Sequence, residues 1–198
     1  MLERIAAHAP VYDPQGLVER LIRLLDKVIY GKTELIRTLL TAVVAGGHVL
    51  LEDVPGVGKT RLIKALASVL DCEFRRIQGT PDLLPSDVTG VSVYRPDRGD
   101  FEFRPGPLHA HVVLADELNR TPPRTQAALL EAMEERRVTV DGTTYKLPEP
   151  FMVLATQNPY GWEGTYALPE AMLDRFLIKL AIGYPEAHHA EAMLEQRQ

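Results

Sequence analysis

The stretch His48-Val49-Leu50-Leu51-Glu52-Asp53-Val54-Pro55-Gly56-Val57-Gly58-Lys59-Thr60 decides the fold. Its first four residues are a short apolar run with Gly46-Gly47 before it, which reads as a buried strand. A glycine-rich turn follows, and from Thr60 to about Leu70 the pattern is helical. A strand, a tight glycine turn and a helix in that order form a cradle for an anion. Glycine has no Cβ to block the convergence of backbone N–H groups. The helix opening at Thr60 adds about half a positive charge at its N-terminus.

The remaining residues make the anion a polyphosphate. Lys59 supplies a mobile full charge for β- and γ-phosphates, and the Thr60 hydroxyl is short enough to ligate Mg²⁺. The candidate nucleotide-binding set is Asp53, Val54, Pro55, Gly56, Val57, Gly58, Lys59 and Thr60, with Arg61 on the first helical turn. The bland alternative is a glycine turn beside a solvated lysine. Asp53 stands where the strict G-x-x-x-x-G-K-[ST] pattern has its first glycine. A carboxylate roughly 8 Å from a phosphate charge would cost about 2 kcal/mol at an effective dielectric of ~20. Asp53 is therefore expected to point away from the phosphates.

A second apolar run, His111-Val112-Val113-Leu114-Ala115, ends in Asp116-Glu117. Two carboxylates closing a buried strand are costly unless something neutralises them. Beside a phosphate turn, Asp116 is expected to hold Mg²⁺ and Glu117 to orient and deprotonate an attacking water. The alternative for Glu117 is capping of the next segment. A third run, Phe151 to Thr156, leads into Gln157-Asn158. Asn158 could hydrogen-bond the γ-phosphate and the water together, or could be a turn residue before Pro159. Arg175, near the end of a short helix, is placed to reach a neighbouring subunit's nucleotide; the alternative is an intrachain ion pair with Asp174.

Outward from these motifs, strands alternate with helices, which implies a mostly parallel sheet covered on both faces. Pro14 opens a helix capped by Asp13, with Leu17, Leu21, Leu24, Leu25 and Val28 read as one face. A second helix carries Leu35, Leu39, Val43 and Ile36, Leu40, Val44. Residues 72–78 read as a strand, and Pro81, Pro85 and Gly90 as marks of a long loop. Two hairpins are predicted: residues 91–103 around Pro96-Asp97-Arg98-Gly99, and 138–145 around Asp141-Gly142. A helix spans Thr121 to about Arg136, a short one follows Pro169, a last strand covers Leu177 to Ile182, and Pro185 starts a final helix.

The chain has 198 residues, 45% apolar and 25% charged, ordinary for a globular α/β domain. The formal net charge of -5 gives no basic footprint for nucleic acid. Cys72 is the single cysteine, so no internal disulfide can form. The longest uncharged run, Thr38 to Leu51, is shorter than the roughly 20 residues a bilayer span needs. The N-terminus has no signal-peptide pattern, and the expectation is a cytoplasmic protein. His109 and His111 read as alternating on one strand face without a third ligand at metal spacing. No N-K-x-D segment for reading guanine is present, so ATP is favoured over GTP. A binding module that does not hydrolyse nucleotide is the remaining rival, and the pair Glu117 and Asn158 weighs against it.

Together these segments resemble the MoxR family of AAA+ ATPases. The resemblance rests on Leu50 to Thr60, Thr80 to Gly90, Leu114 to Arg120, Gln126 to Met133, Ala155 to Pro159, and Glu163 to Ala171. It implies an αβα P-loop NTPase sandwich with a mostly parallel five-stranded sheet and two hairpin insertions. These would be a helix-2 insert near 91–103 and a pre-sensor hairpin near 138–147. It also implies Walker A at 53–60, Walker B at 112–117, sensor 1 at Asn158 and an arginine finger at Arg175. Ile29 and Tyr30 fall where the family holds adenine, and Tyr30 is unusual there. The resemblance places an ATPase core at 1–184 and the start of a helical lid at 185–198. With the rest of that lid and its sensor-2 arginine outside this sequence, weak nucleotide affinity and little turnover are expected of residues 1–198. Family likeness further implies a hexameric ring, a chaperone-like role in maturing protein clients, and a partner with a von Willebrand A domain. Asp53→Gly is expected to keep or tighten nucleotide binding in a fluorescence titration; much weaker binding would contradict a carboxylate that points away from the phosphates.

Overall fold

A computed structural model describes residues 14–28, 31–52, 58–157 and 164–183. Its centre is a sheet of five parallel strands, β1 (His48–Glu52), β2 (Phe74–Gln78), β5 (Val112–Asp116), β8 (Met152–Gln157) and β9 (Phe176–Leu180), in the order β2-β5-β8-β1-β9. Hairpins β3 (Gly90–Arg95)–β4 (Asp100–Pro105) and β6 (Arg137–Val140)–β7 (Thr143–Lys146) stand outside it. The α/β sandwich and both insertions follow the expected plan.

Strand alternation sorts the core into two layers. Val49 and Leu51, Val112 and Leu114, and Met152 and Leu154 face one side. There they pack on helices α1 (Pro14–Asp26), α2 (Thr33–Val44) and α3 (Lys59–Val69), through Leu25, Ile36, Leu39, Leu62, Ile63 and Leu66. Leu50, Val113, Ala115, Val153 and Ala155 face the other side, against α4 (Pro85–Thr89) and α5 (Pro123–Glu135). Strands buried on both faces need apolar residues at every position, which is why β1, β5 and β8 read as unbroken runs.

Several expectations need correction. Leu17 and Leu24 are exposed, at 41% and 48%. The buried stripe of α1 is Val18, Leu21, Ile22 and Leu25, the i, i+3, i+4, i+7 set. The segment expected as a long loop contains α4. Pro85 fits its first position, where a missing N–H costs nothing, and Asp87 Oδ2 accepts from the Leu84 N–H at 2.8 Å. His109 and His111 are not on a strand: His109 closes a 3₁₀ turn (Pro107–His109) and β5 begins only at Val112. His109 is instead part of a ring cluster, 5.4 Å from Phe103, which stacks on Tyr145 at 3.9 Å and joins the two hairpins. The Asp141-Gly142 turn has φ 49° and 77°, as the hairpin signal requires. Asp13 and the final helix lie outside the described residues.

His48, 3% exposed, ties β1 to its surroundings. Its Nδ1 accepts from the Val153 N–H at 2.9 Å, so Nε2 carries the proton and donates to the Met133 carbonyl at 3.2 Å. Burial drives its pKa from 6.5 to about 4, against the Met133 contact and helped by Arg136. A depressed pKa means the unfolded chain takes a proton near 6.5 that the folded chain refuses until about 4. Stability is thus complete above 6.5 and is lost as the pH falls toward 4. We predict that His48 alone removes about 2 kcal/mol between pH 7 and pH 5. His48→Gln should flatten that part of the urea-denaturation profile; an unchanged acid slope would contradict it.

Candidate active site

All five strands run the same way, so the ends of β1, β5 and β8 lie at one edge of the sheet. In open parallel sheets ligands bind beyond this carboxyl edge. The chain leaves β1 at Glu52 and re-enters described structure at Gly58. Gly58 flanks the start of α3 with φ 88° and ψ 16°, a left-handed conformation that glycine adopts without strain. It brings no side chain to cap the helix, so an anion there would meet backbone N–H groups. Lys59, Thr60 and Arg61 form the first turn.

Asp116 is the next residue on the Val112–Leu114 face of β5, the face that α3 covers. The helix lies across β2 and β5 themselves. The turn at Lys59 and the carboxylate of Asp116 therefore share one side of the sheet and one edge. Thr156, on the same face of β8, is 1% exposed. Its hydroxyl donates to Asp116 Oδ1 at 2.7 Å and accepts from the Glu117 N–H at 2.8 Å. Glu117 leaves the strand with φ 54° and ψ 47°. For a residue with a Cβ this conformation costs on the order of 1 kcal/mol or more and is held only by its surroundings. Thr156 is one constraint. The Gly79 N–H, 2.7 Å from the Asp116 carbonyl, is another. A Cβ at Gly79 would come within 2.2 Å of the Glu117 carbonyl, so only glycine lets β2 approach so closely. The Glu117 carboxylate is partly exposed and lies 3.3 Å from Arg120.

A second guanidinium reaches Asp116 across the sheet: Arg76, from β2, lies 2.5 Å from Oδ2 and also donates to Gln78. On the opposite face, Glu52 accepts from Gln157 at 2.5 Å and from Lys179 at 2.6 Å. The Lys179 contact holds the Glu52 carboxyl below its usual range. This clasp fastens the ends of β1, β8 and β9. Arg175 makes intrachain contacts, 3.1 Å from Asp174 and 3.7 Å from Glu134 on α5.

The structure thus brings Gly58, Lys59, Thr60, Arg61, Asp116 and Glu117 to one edge and sets Arg175 among partners of the α5 layer. Asp53, Val54, Pro55, Gly56, Val57, Ile29, Tyr30 and Asn158 lie outside the described residues. Thr156, Arg76 and Gly79 were not singled out from sequence. Among the described residues no three His, Cys, Asp or Glu side chains cluster as a metal cage. Mg²⁺ beside phosphate keeps several waters and takes one or two protein oxygens. Thr60 and Asp116 offer oxygen donors of that kind, and the Asp116 carboxylate already draws a cation, Arg76.

The profile of a family described as "ATPase family associated with various cellular activities (AAA)" matches residues 48–178. The chain is 58% identical over 173 residues to the uncharacterized protein YeaC of Bacillus subtilis, covering 87% of this chain and 54% of YeaC. It is 46% identical over 186 residues to Chaperone MoxR1 of Mycobacterium tuberculosis, covering 91% and 49% of the two chains. A crystal structure of a candidate ATPase from Cytophaga hutchinsonii superposes with a TM-score of 0.83 at 45% identity, over 92% of this chain and 55% of that one. The chain spans about half the length of the curated relatives it matches. With its parallel sheet, its helix opening at Lys59 and its acid pair at the same edge, the chain belongs to the MoxR family of AAA+ ATPases.

Proposed function

We propose that this chain is the nucleotide-binding core of an enzyme that binds ATP with Mg²⁺ and hydrolyses it. One observation carries the reading: a single buried hydroxyl, Thr156, orders both Asp116 and Glu117 at the edge where α3 begins. Residues 53–60 cradle the phosphates. Lys59 offsets their charge, and the first turn of α3 adds its N–H groups. Thr60 and Asp116 would hold Mg²⁺. When bound, that ion withdraws charge from the β- and γ-phosphate oxygens.

Glu117 has the exposure a general base needs. It orients a water and takes its proton as the water oxygen attacks the γ-phosphorus and the bond to the β-phosphate oxygen breaks. The strained backbone of Glu117 turns its side chain out of the strand at the point of reaction. Asn158 fixes the water against the γ-phosphate. Arg175 acts on the nucleotide of an adjacent subunit in a hexameric ring; its contacts to Asp174 and Glu134 would then open on assembly. Ile29 and Tyr30 border adenine. Residues 1–184 are the core and 185–198 begin the lid. The name of the relative Chaperone MoxR1 supports a chaperone-like role; the maturation of protein clients and a von Willebrand A domain partner are carried by the family likeness alone. No helix among the described residues is long and apolar enough to cross a membrane.

Binding of a fluorescent ATP analogue and release of phosphate test the reading together. Lys59→Ala should weaken nucleotide binding at least about tenfold, by loss of a charge-assisted contact. Glu117→Gln should retain binding and slow phosphate release about 10²- to 10⁴-fold. Equal hydrolysis by the Glu117→Gln protein would remove that residue from the chemistry.

A further inference from the structure

Asp116 is held from two sides by groups of different character. Oδ1 is fastened inside the protein by the Thr156 hydroxyl at 2.7 Å. Oδ2 is held by Arg76, at 2.5 Å, from the open edge of the sheet. The carboxylate is largely shielded, at 16% exposed, whereas the arginine is 45% exposed. β2 has a neighbour on one side only, so the guanidinium approaches Asp116 from solvent. In register, Arg76 sits opposite Leu114 and Gln78 opposite Asp116. Arg76 therefore reaches forward along its strand to the acid and passes Gln78, to which it also donates. Its neighbour Arg75 lies on the other face of β2 and pairs with Glu73 at 2.8 Å.

We infer that Arg76 is a displaceable latch on Asp116: it keeps the carboxylate extended toward the phosphate edge and yields Oδ2 when Mg²⁺ arrives with nucleotide. The inference rests on the nucleotide–Mg²⁺ reading above and adds a regulator to it. Arginine and Mg²⁺ claim the same oxygen, and both are cations, so they compete by occupancy and by repulsion. With its arginine 45% exposed, the pair is open to water on that side, where a competing cation can separate it. Gln78 gives the released guanidinium a partner within reach. Arg76 is thus a positioning residue: it touches the metal's ligand, and its effect is to raise the Mg²⁺ concentration at which the site fills.

The test is Mg²⁺ titration of fluorescent ADP binding to the purified protein, with parallel measurements in EDTA. Arg76→Met should lower the half-saturating Mg²⁺ concentration about two- to fivefold, the range expected for removing one partly exposed competing charge. ADP affinity in EDTA should stay within about twofold, and Arg76→Lys, which keeps the charge, should move the midpoint far less. Arg76→Gln gives the same reading should the methionine variant not fold, with circular dichroism checking both. A midpoint that stays or rises in the folded variants would overturn the latch. So would loss of ADP affinity in EDTA, which would make Arg76 a phosphate contact. If the unsubstituted protein shows no Lys59-dependent binding, the nucleotide reading itself falls and the latch with it; Lys59-dependent binding with an unmoved midpoint removes the latch alone.

Discussion

The hydroxyl of Thr156 has one proton to give and one hydrogen bond to accept here, and both are committed. The proton goes to Asp116 Oδ1 and the lone pair meets the N–H of Glu117. At this end of the sheet, one group holds an oxygen of the first acid and the backbone N–H of the second. Leaving either partner buried and unpaired would cost on the order of 1–3 kcal/mol. The geometry of two catalytic candidates on β5 is therefore set by the neighbouring strand β8. The parallel register that aligns Ala115 with Ala155 is what puts the hydroxyl and the acids at the same level.

Everything apolar in the fold serves to bring those ends together. Helices α1 to α3 cover one face and α4 and α5 the other, so the strands can be close-packed on both sides and still end at a common edge. Polar groups then sort by face. Asp116, Thr156 and Arg76 lie on the α3 face of the sheet, while Glu52, Gln157 and Lys179 lock the strand ends on the other face. The first set is open to solvent on its arginine side, and the second ties three strands in one clasp. For the divalent-cation exchange proposed above, that division would let the acid change partners without loosening the edge that carries it.

The parts of this arrangement that depend on local pattern were legible in sequence. Unbroken apolar runs marked β1, β5 and β8 because each is covered twice. Asp141-Gly142 marked a hairpin because both positions take positive φ. What the sequence hid depends on register between distant segments. Arg76 is 40 residues from Asp116, and nothing in Phe74-Arg75-Arg76-Ile77-Gln78 tells which of two arginines faces the acid until β2 is laid beside β5. Thr156 looks like any β-branched strand residue. Leu17 and Leu24 each sit one residue, about 100° of helix, before Val18 and Leu25 of the buried stripe, and α4 was hidden by prolines that mark helix starts as well as loops.

The account stands on the α3 start, the Asp116–Glu117 pair and Thr156 surrounding one metal-nucleotide site. Paramagnetic broadening of amide signals in the ¹⁵N-labelled protein, on adding Mn²⁺ with a non-hydrolysable ATP analogue, measures this directly. The account predicts the strongest broadening at Lys59, Thr60, Asp116, Glu117 and Thr156, with the β3–β4 hairpin little affected. Broadening centred on the hairpin or on β9, with the amides of 116 and 117 left sharp, would contradict it.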